Sequence, residues 1–211
     1  MKKPSCGFSN IGAFAVFSTS LKWSKANITY SVLNYTSDMN SSEVDDTLKK
    51  VFSMWSNVSC LNFTQVPKDA DIAMTFYLEG QKTPFMEEVL GYAYGPGKGA
   101  GGDVFLNEAV IWTNDNDKIL AENATSLRLA AAHEVGHALG LAHSSRRGAV
   151  MYGDYTPKEY EYGKYKSTNV PYFESLMLHQ DDIDGIQYLY VIFLGRVGEQ
   201  RGQTTQDQEP L

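Results

Sequence analysis

The amino-acid sequence predicts a single α+β domain built from five strands and three helices. Its 211 residues, 43% of them hydrophobic, are enough to bury one core. Five short runs carry β-branched or alternating residues, and three longer stretches place apolar residues at helical spacing. In chain order, "ANITYSVL" (26–33) is β-branched and alternating, a strand pattern. "SSEVDDTLKKVFSMWSNV" (41–58) opens on a serine cap and sets Val44, Leu48, Val51, Phe52 and Trp55 on one helical stripe. "LNFTQV" and "ADIAMTFYL" follow as strands, the second apolar enough to be largely buried. "EVLGYAYG" and "GDVFLNE" are two further strands, separated by the loop "GPGKGAGG" (95–102). A helix is expected from Ala124 to Leu139, and a closing helix over "HQDDIDGIQYLYVIF" (179–193), whose acidic first turn suits the helix macrodipole. The polar, tyrosine-rich stretch 156–175 reads as a long loop and the tail "GEQRGQTTQDQEPL" as disordered.

Composition narrows the function classes. A formal net charge of −7 argues against nucleic acid as a partner, because phosphate backbones reward basic surfaces. No apolar run is long enough to span a bilayer. The glycine-rich loop is not a phosphate cradle: the Walker pattern needs a glycine where Tyr92 stands and Ser or Thr where Gly99 follows Lys98. Two cysteines, Cys6 and Cys60, are too few for a disulfide scaffold; they could pair or stay free. Six N-glycosylation sequons, at Asn27, Asn34, Asn40, Asn57, Asn62 and Asn123, point to secretion from a glycosylating cell. The short run "IGAFAVF" near the amino terminus has neither the length nor the cleavage site of a leader, so the expectation is a secretory signal outside this sequence.

The stretch that carries chemistry is "HEVGHALGLAH" (133–143). Residues four apart share a helix face, so His133 and His137 can reach one ion. Gly140 accepts the left-handed conformation that ends a helix, and the turn brings His143 back as a third ligand. Three neutral nitrogens leave one tetrahedral position open, the arrangement of a catalytic zinc site. Glu134 follows the first ligand and would face the open position, placed to take a proton from the attacking water and return it to the leaving amine. A lone histidine on an apolar helix is usually an ordinary core residue. Here the spaced positions agree with one another, and "AVMY" (149–152) adds Met151 eight residues beyond His143, as the extended zincin pattern with a Met-turn requires.

On these residues, with Ser144 after the third histidine, the chain resembles a matrix metalloproteinase (matrixin) catalytic domain over about residues 4–190. "LKWSKANITYSVLNYT", "ADIAMTF", "GGDVF" and "QDDIDGIQYLY" are similar to successive segments of such a domain. The resemblance implies a zincin-like α/β arrangement: a twisted, mostly parallel five-stranded sheet with three helices and a cleft across the domain. "PSCGFSN" (4–10) resembles the cysteine switch that ends the matrixin propeptide, so Cys6 would be an inhibitory zinc ligand in a latent form. Ser5 and Asn10 replace the usual Arg and Asp that support that peptide, so weaker latency is expected; the alternative is an ordinary tail cysteine. The implied division is a propeptide remnant at 1–13, a catalytic domain at 14–192 and a tail at 193–211, with cleavage near Ala13–Phe14.

Departures from the family pattern matter as much. Matrixins usually hold a second, structural zinc through three histidines and an aspartate, but this chain has only four histidines. Gln81, Tyr92 and Phe105 stand at the aligned places, so that zinc is expected to be absent, and His179 is read as a helix-start residue. One family calcium site loses its acids to Asn107 and Val110. Another is matched by Asp71 and Asp103 with the carbonyls of Gly99 and Gly101; the rival reading is two surface aspartates and a turn. The resemblance places Leu90 and Gly91 on the rim that pairs with an extended substrate, and Leu129 and Tyr155 along the specificity pocket. Gly153 replaces the proline of the usual wall, which loosens it. The expected function is a secreted, monomeric zinc endopeptidase cutting extended polypeptides before a hydrophobic residue and meeting protein protease inhibitors. The rival is a catalytically weak homologue that acts as a binding decoy.

Overall fold

A computed structural model describes residues 16–77, 89–114, 124–153 and 176–190. Chain order is β1 (Asn27–Val32), α1 (Ser41–Ser56), β2 (Asn62–Gln65), β3 (Ile72–Tyr77), β4 (Gly91–Ala93), β5 (Val104–Asn107), β6 (Trp112–Thr113), β7 (Thr125–Ser126), α2 (Leu127–Ala138) and α3 (Gln180–Tyr190). The main sheet has five strands in the order β2-β1-β3-β5-β4. Its first four strands run parallel and β4 pairs antiparallel with β5, in the register Gly91↔Leu106, Tyr92↔Phe105. Parallel neighbours need a crossover, and α1 supplies the one between β1 and β2. This is the mixed, mostly parallel sheet with three helices that the sequence leads one to expect.

The α1 stripe packs as its spacing predicts: Val44, Leu48, Val51, Phe52 and Trp55 are all buried, each worth roughly 1.5–3 kcal/mol of transfer free energy. Tyr30 of β1 stacks on Phe52 at 4.0 Å, and Phe63 of β2 lies 5.0 Å from the same ring. The expected serine cap is corrected by one residue. Asn40, in extended conformation, is the N-cap, and its backbone N–H donates to Glu43 Oε2 at 3.1 Å in a capping box. Asn40 leaves Glu43 at the third helical position, which a cap at Ser41 would not.

Helix α2 begins at Leu127 rather than Ala124. Thr125 and Ser126 instead pair with Trp112 and Thr113 in a two-stranded parallel sheet, too short to show periodicity. Ser126 Oγ then accepts from Leu129 N at 3.3 Å and caps the helix. Every residue of α2 except Arg128 is buried, so the helix is apolar all round and runs through the core against α1 and strands β4 and β5. Cys6, Gln81, Asn123, Tyr155, the 156–175 loop and the 193–211 tail lie outside the described residues.

Candidate active site

The end of α2 is built to turn. Gly140 has φ of +100°, Gly140 N donates to His137 O at 2.9 Å, and Leu141 N donates to Gly136 O at 3.0 Å. These two bonds form a Schellman motif, which needs a residue without Cβ strain at this place. The last carbonyls of the helix are capped from elsewhere in the chain. Trp23 Nε1 donates to Ala138 O at 3.0 Å and the Tyr190 hydroxyl donates to Leu139 O at 2.7 Å. Burial pushes the Tyr190 phenol up, keeping it a donor.

The turn delivers His143 to the two helical histidines. His133 Nε2 lies 3.1 Å from His137 Nε2 and 3.3 Å from His143 Nε2. Around a tetrahedral ion with bonds of about 2.0–2.1 Å, nitrogens stand about 3.3 Å apart, so the spacing suits zinc. The other ring nitrogens are spent on orientation: His133 Nδ1 donates to Val150 O at 2.7 Å and His137 Nδ1 to Leu141 O at 2.7 Å. That fixes the tautomer and turns each Nε2 lone pair inward. Burial, then the neighbouring His143, lowers the His133 pKa to about 4; burial, then His133 and His143, holds His137 well below its usual value. His133 and His137 are therefore neutral near pH 7, as ligands must be. The three-histidine group fits a catalytic zinc ion, and among the described residues no other cluster of three or more His, Cys, Asp or Glu side chains could hold a metal.

Glu134 is buried beside the triad and packs directly against β4: a Cβ on Gly91 would stand 2.9 Å from its Oε1. The carboxylate thus lies against the start of edge strand β4, at Gly91, the residue after Leu90. Leu129, one turn before His133, is 2% exposed and belongs to the core cluster. Met151 is buried against α2, its Sδ only 2.3 Å from where a Cβ on Gly136 would sit. Gly136 is bare so that the Met-turn can close on the helix. Gly153 lies against the His143 ring, its would-be Cβ 2.9 Å from Nδ1.

Sequence reading missed what anchors this floor. The Asp182 carboxylate, 2% exposed, accepts from Val150 N at 2.8 Å, Met151 N at 3.0 Å and His179 N at 2.9 Å. Burial pushes its carboxyl up, while the three N–H groups act to hold it down. Asp182 therefore joins α3 to the Met-turn, and through Val150 O to His133. The signal was present: Asp182 shares a helical stripe with Ile186 and Leu189, both buried, so it had to face inward. Beside it, Ser144 Oγ donates to Asp181 Oδ2 at 2.5 Å and Ser144 N donates to Met151 O at 2.7 Å. Phe17, also unassigned from sequence, lies 5.6 Å from the His137 ring, while Phe17 N donates to Gly140 O at 3.2 Å. His179 stands at the start of α3, where its Nδ1 accepts from Asp181 N at 3.1 Å.

The calcium candidates are placed differently from one another. Asp71 Oδ1 pairs with Lys25 Nζ at 2.6 Å, and Oδ2 accepts from Thr29 N at 2.8 Å and Thr29 Oγ1 at 2.9 Å. Burial of Asp71 acts to raise its pKa, but Lys25 and the Thr29 bonds win and it is lowered. Asp103 is raised by burial and bonded to the backbone of Ala73. The loop between them closes on itself, with Gly101 N donating to Lys98 O and Gly102 N to Tyr94 O.

Comparison with known proteins agrees with this geometry. The family model described as Matrixin matches residues 22–191. The chain belongs to the matrixin family. It is 39% identical over 195 residues to neutrophil collagenase of Homo sapiens, covering 90% of this chain and 38% of that protein. It is likewise 39% identical to stromelysin-1 of Mus musculus and 37% to interstitial collagenase of Oryctolagus cuniculus, each over 195 residues, 90% of this chain and 37% of the relative. The chain thus spans less than two fifths of the length of these curated matrixin relatives.

Proposed function

We propose that this matrixin domain is a secreted zinc endopeptidase that cuts extended segments of extracellular proteins ahead of a hydrophobic residue. The observation that carries the reading is the convergence of three buried Nε2 atoms beside a buried glutamate under an edge strand. His133, His137 and His143 hold the ion, with Met151 supporting them from below. Zinc, when bound, supplies Lewis-acid polarisation of a carbonyl and acidifies water. Glu134 takes the proton from the attacking water and delivers it to the leaving amine nitrogen. Strand β4 is an edge strand, so Leu90 and Gly91 can pair with a substrate backbone as an added strand. Leu129 and Tyr155 line the pocket for the residue after the scissile bond. Cys6 serves as the inhibitory ligand of a latent form. Asp71 and Asp103, with the Gly99 and Gly101 carbonyls, make up a calcium site whose first acid already has an ammonium partner in Lys25. The domain works as a monomer, open to protein inhibitors that present an extended segment.

The test is cleavage of a quenched fluorescent peptide with leucine after the scissile bond, using protein that starts at Phe14. Glu134→Ala should lower kcat/KM by about 10²–10⁴-fold, the span of general acid–base catalysis, with zinc content unchanged. Chelation should abolish turnover of the wild type. A folded, zinc-loaded wild type that cuts no peptide would replace this reading with the binding decoy.

A further inference from the structure

The glycosylation sequons are a motif that the peptidase reading leaves unused, and the fold distinguishes Asn34 from Asn57 and Asn62. We propose that the corner where α1 ends and β2 begins carries N-linked glycan on Asn57 and Asn62, that Asn34 carries none, and that this sugar blunts the sheet edge opposite the cleft. The proposal rests on the secreted reading above for the route by which the chain meets its glycan donor.

The chemistry of attachment sets the criterion. The donor is a lipid diphosphate-linked oligosaccharide. The asparagine Nδ2–sugar C1 bond forms as the C1–O bond to the diphosphate breaks; the bonding pair leaves with the diphosphate, and the amide gives up one proton. The product amide stays planar with the sugar trans to Cβ, on the same side as Oδ1. A carrier must therefore not need its Oδ1-side hydrogen in the fold.

Asn34 needs it. Asn34 Nδ2 donates to Phe76 O at 2.6 Å while its Oδ1 accepts from Phe76 N at 2.9 Å. Both bonds go to one residue, so the amide presents Oδ1 and the hydrogen beside it, as a paired strand would. A sugar C1 in that hydrogen's place would stand where Phe76 O is, and the β1–β3 end would have to open.

Asn57 meets the criterion, and Asn62 would give up at most one long surface bond. Asn57 is exposed at the C-cap of α1, where its backbone N–H, rather than its side chain, makes the cap bond to Ser53 O. Asn62 is exposed at the first residue of β2, in register with Asn27, whose Oδ1 accepts from Asn62 Nδ2 at a loose 3.3 Å across the surface. Strand β2 is one edge of the sheet and β4 is the other. Four strand spacings, about 19 Å, separate them, so sugar at β2 leaves the cleft clear. An open edge is a template for pairing with another chain. A glycan at its first residue denies that template and leaves β4 as the edge that accepts extended peptides.

The full chain, secreted from a eukaryotic cell behind a supplied leader, should be treated with peptide-N-glycosidase in heavy-oxygen water. Each carrier asparagine then becomes a mass-labelled aspartate. Label is expected on Asn57 and Asn62 and absent from Asn34. Label on Asn34 of folded protein, or none on Asn57 and Asn62, overturns the assignment. Because the leader forces the route, occupancy is read independently of where the chain is sent in its own cells. The double variant Asn57→Gln/Asn62→Gln should self-associate at lower concentration than the glycosylated protein in sedimentation; equal behaviour overturns the edge-blocking role.

Discussion

The floor of the site and the outer face of the β4–β5 hairpin are held by different means. Beneath the histidines, each contact joins segments distant in sequence: Val150 to His133, Asp182 to the Met-turn, Trp23 and Tyr190 to the last carbonyls of α2. On the hairpin, aromatic rings pack against one another. Tyr92 and Tyr94 meet edge to face at 5.0 Å, and Tyr94 meets Phe105 at 6.3 Å. The difference separates support of a metal site from plain cohesion. Ring contacts on the hairpin contribute cohesion. The contacts beneath the histidines also orient ligands, so their loss should reach the metal.

The largest expected effect follows from removing the floor's anchor. Asp182→Ala strands three backbone N–H groups in a buried place, at a cost of about 3–5 kcal/mol. Urea unfolding would measure that loss. Because Val150 donates to Asp182 and accepts from His133, zinc affinity should also fall by about 10–100-fold, the range for outer-shell partners. Unchanged zinc affinity in a chelator competition would show that Asp182 supports the fold without supporting the metal.

Acid should act on the same region. His133 has a folded pKa of about 4, below its ordinary 6.5, and His137 is also lowered. Below pH 6.5 the unfolded chain takes up protons that folded His133 and His137 refuse. The contribution of these groups to stability is thus complete above that pH and declines as pH falls towards 4. Metal-free protein should lose Tm steadily across this window, whereas Tyr94→Ala on the hairpin should leave that slope intact. A flat Tm from pH 6.5 to 4 would contradict the burial argument.

Legibility in the sequence divides along similar lines. Features with a short repeat could be read: the α1 stripe, the strand runs, and the His133–His137 spacing with Gly140 as the turn. The family resemblance then supplied the mostly parallel five-stranded sheet with its three helices, but not the strand order. What escaped was mostly short or long-range. The β6–β7 pair has two residues per strand, below any periodicity. Phe17 and Tyr190 act through contacts more than fifty residues away along the chain, which no local pattern encodes. Asp182 is the exception, since its place on the buried stripe of α3 was there to be read. The cap of α1 slipped by one because Asn40 and Ser41 are both good caps, and only the Glu43 spacing separates them.

A smaller effect is expected at Gly136. Its Ala variant would put a Cβ 2.3 Å from Met151 Sδ and 3.1 Å from Trp55 Cζ2. The thioether can shift, but the Trp55 indole is fixed by its bond to Ala132 O at 3.2 Å. Overpacking of this kind costs about 1–3 kcal/mol. Unfolding should show that loss, and activity should fall with it as the Met-turn moves away from the helix. A Gly136→Ala protein of wild-type stability would mean that the floor is less tightly packed than the glycine implies.

The smallest effect, and the sharpest test of the comparison, lies on the hairpin. Tyr94 is 37% exposed and touches both Tyr92 and Phe105. Tyr94→Ala removes two edge-to-face contacts, each worth about 0.5–1.5 kcal/mol when buried and less at this exposure. Stability should therefore drop by about 1 kcal/mol, with zinc content and kcat/KM close to wild type. The reason is positional: Tyr94 lies beyond β4 on the loop side, whereas Glu134 packs against Gly91 at the strand's other end. If Tyr94→Ala instead cost the protein its zinc or most of its turnover, the aromatic cluster would be part of the site's support, and cohesion and chemistry would not be separable in this domain.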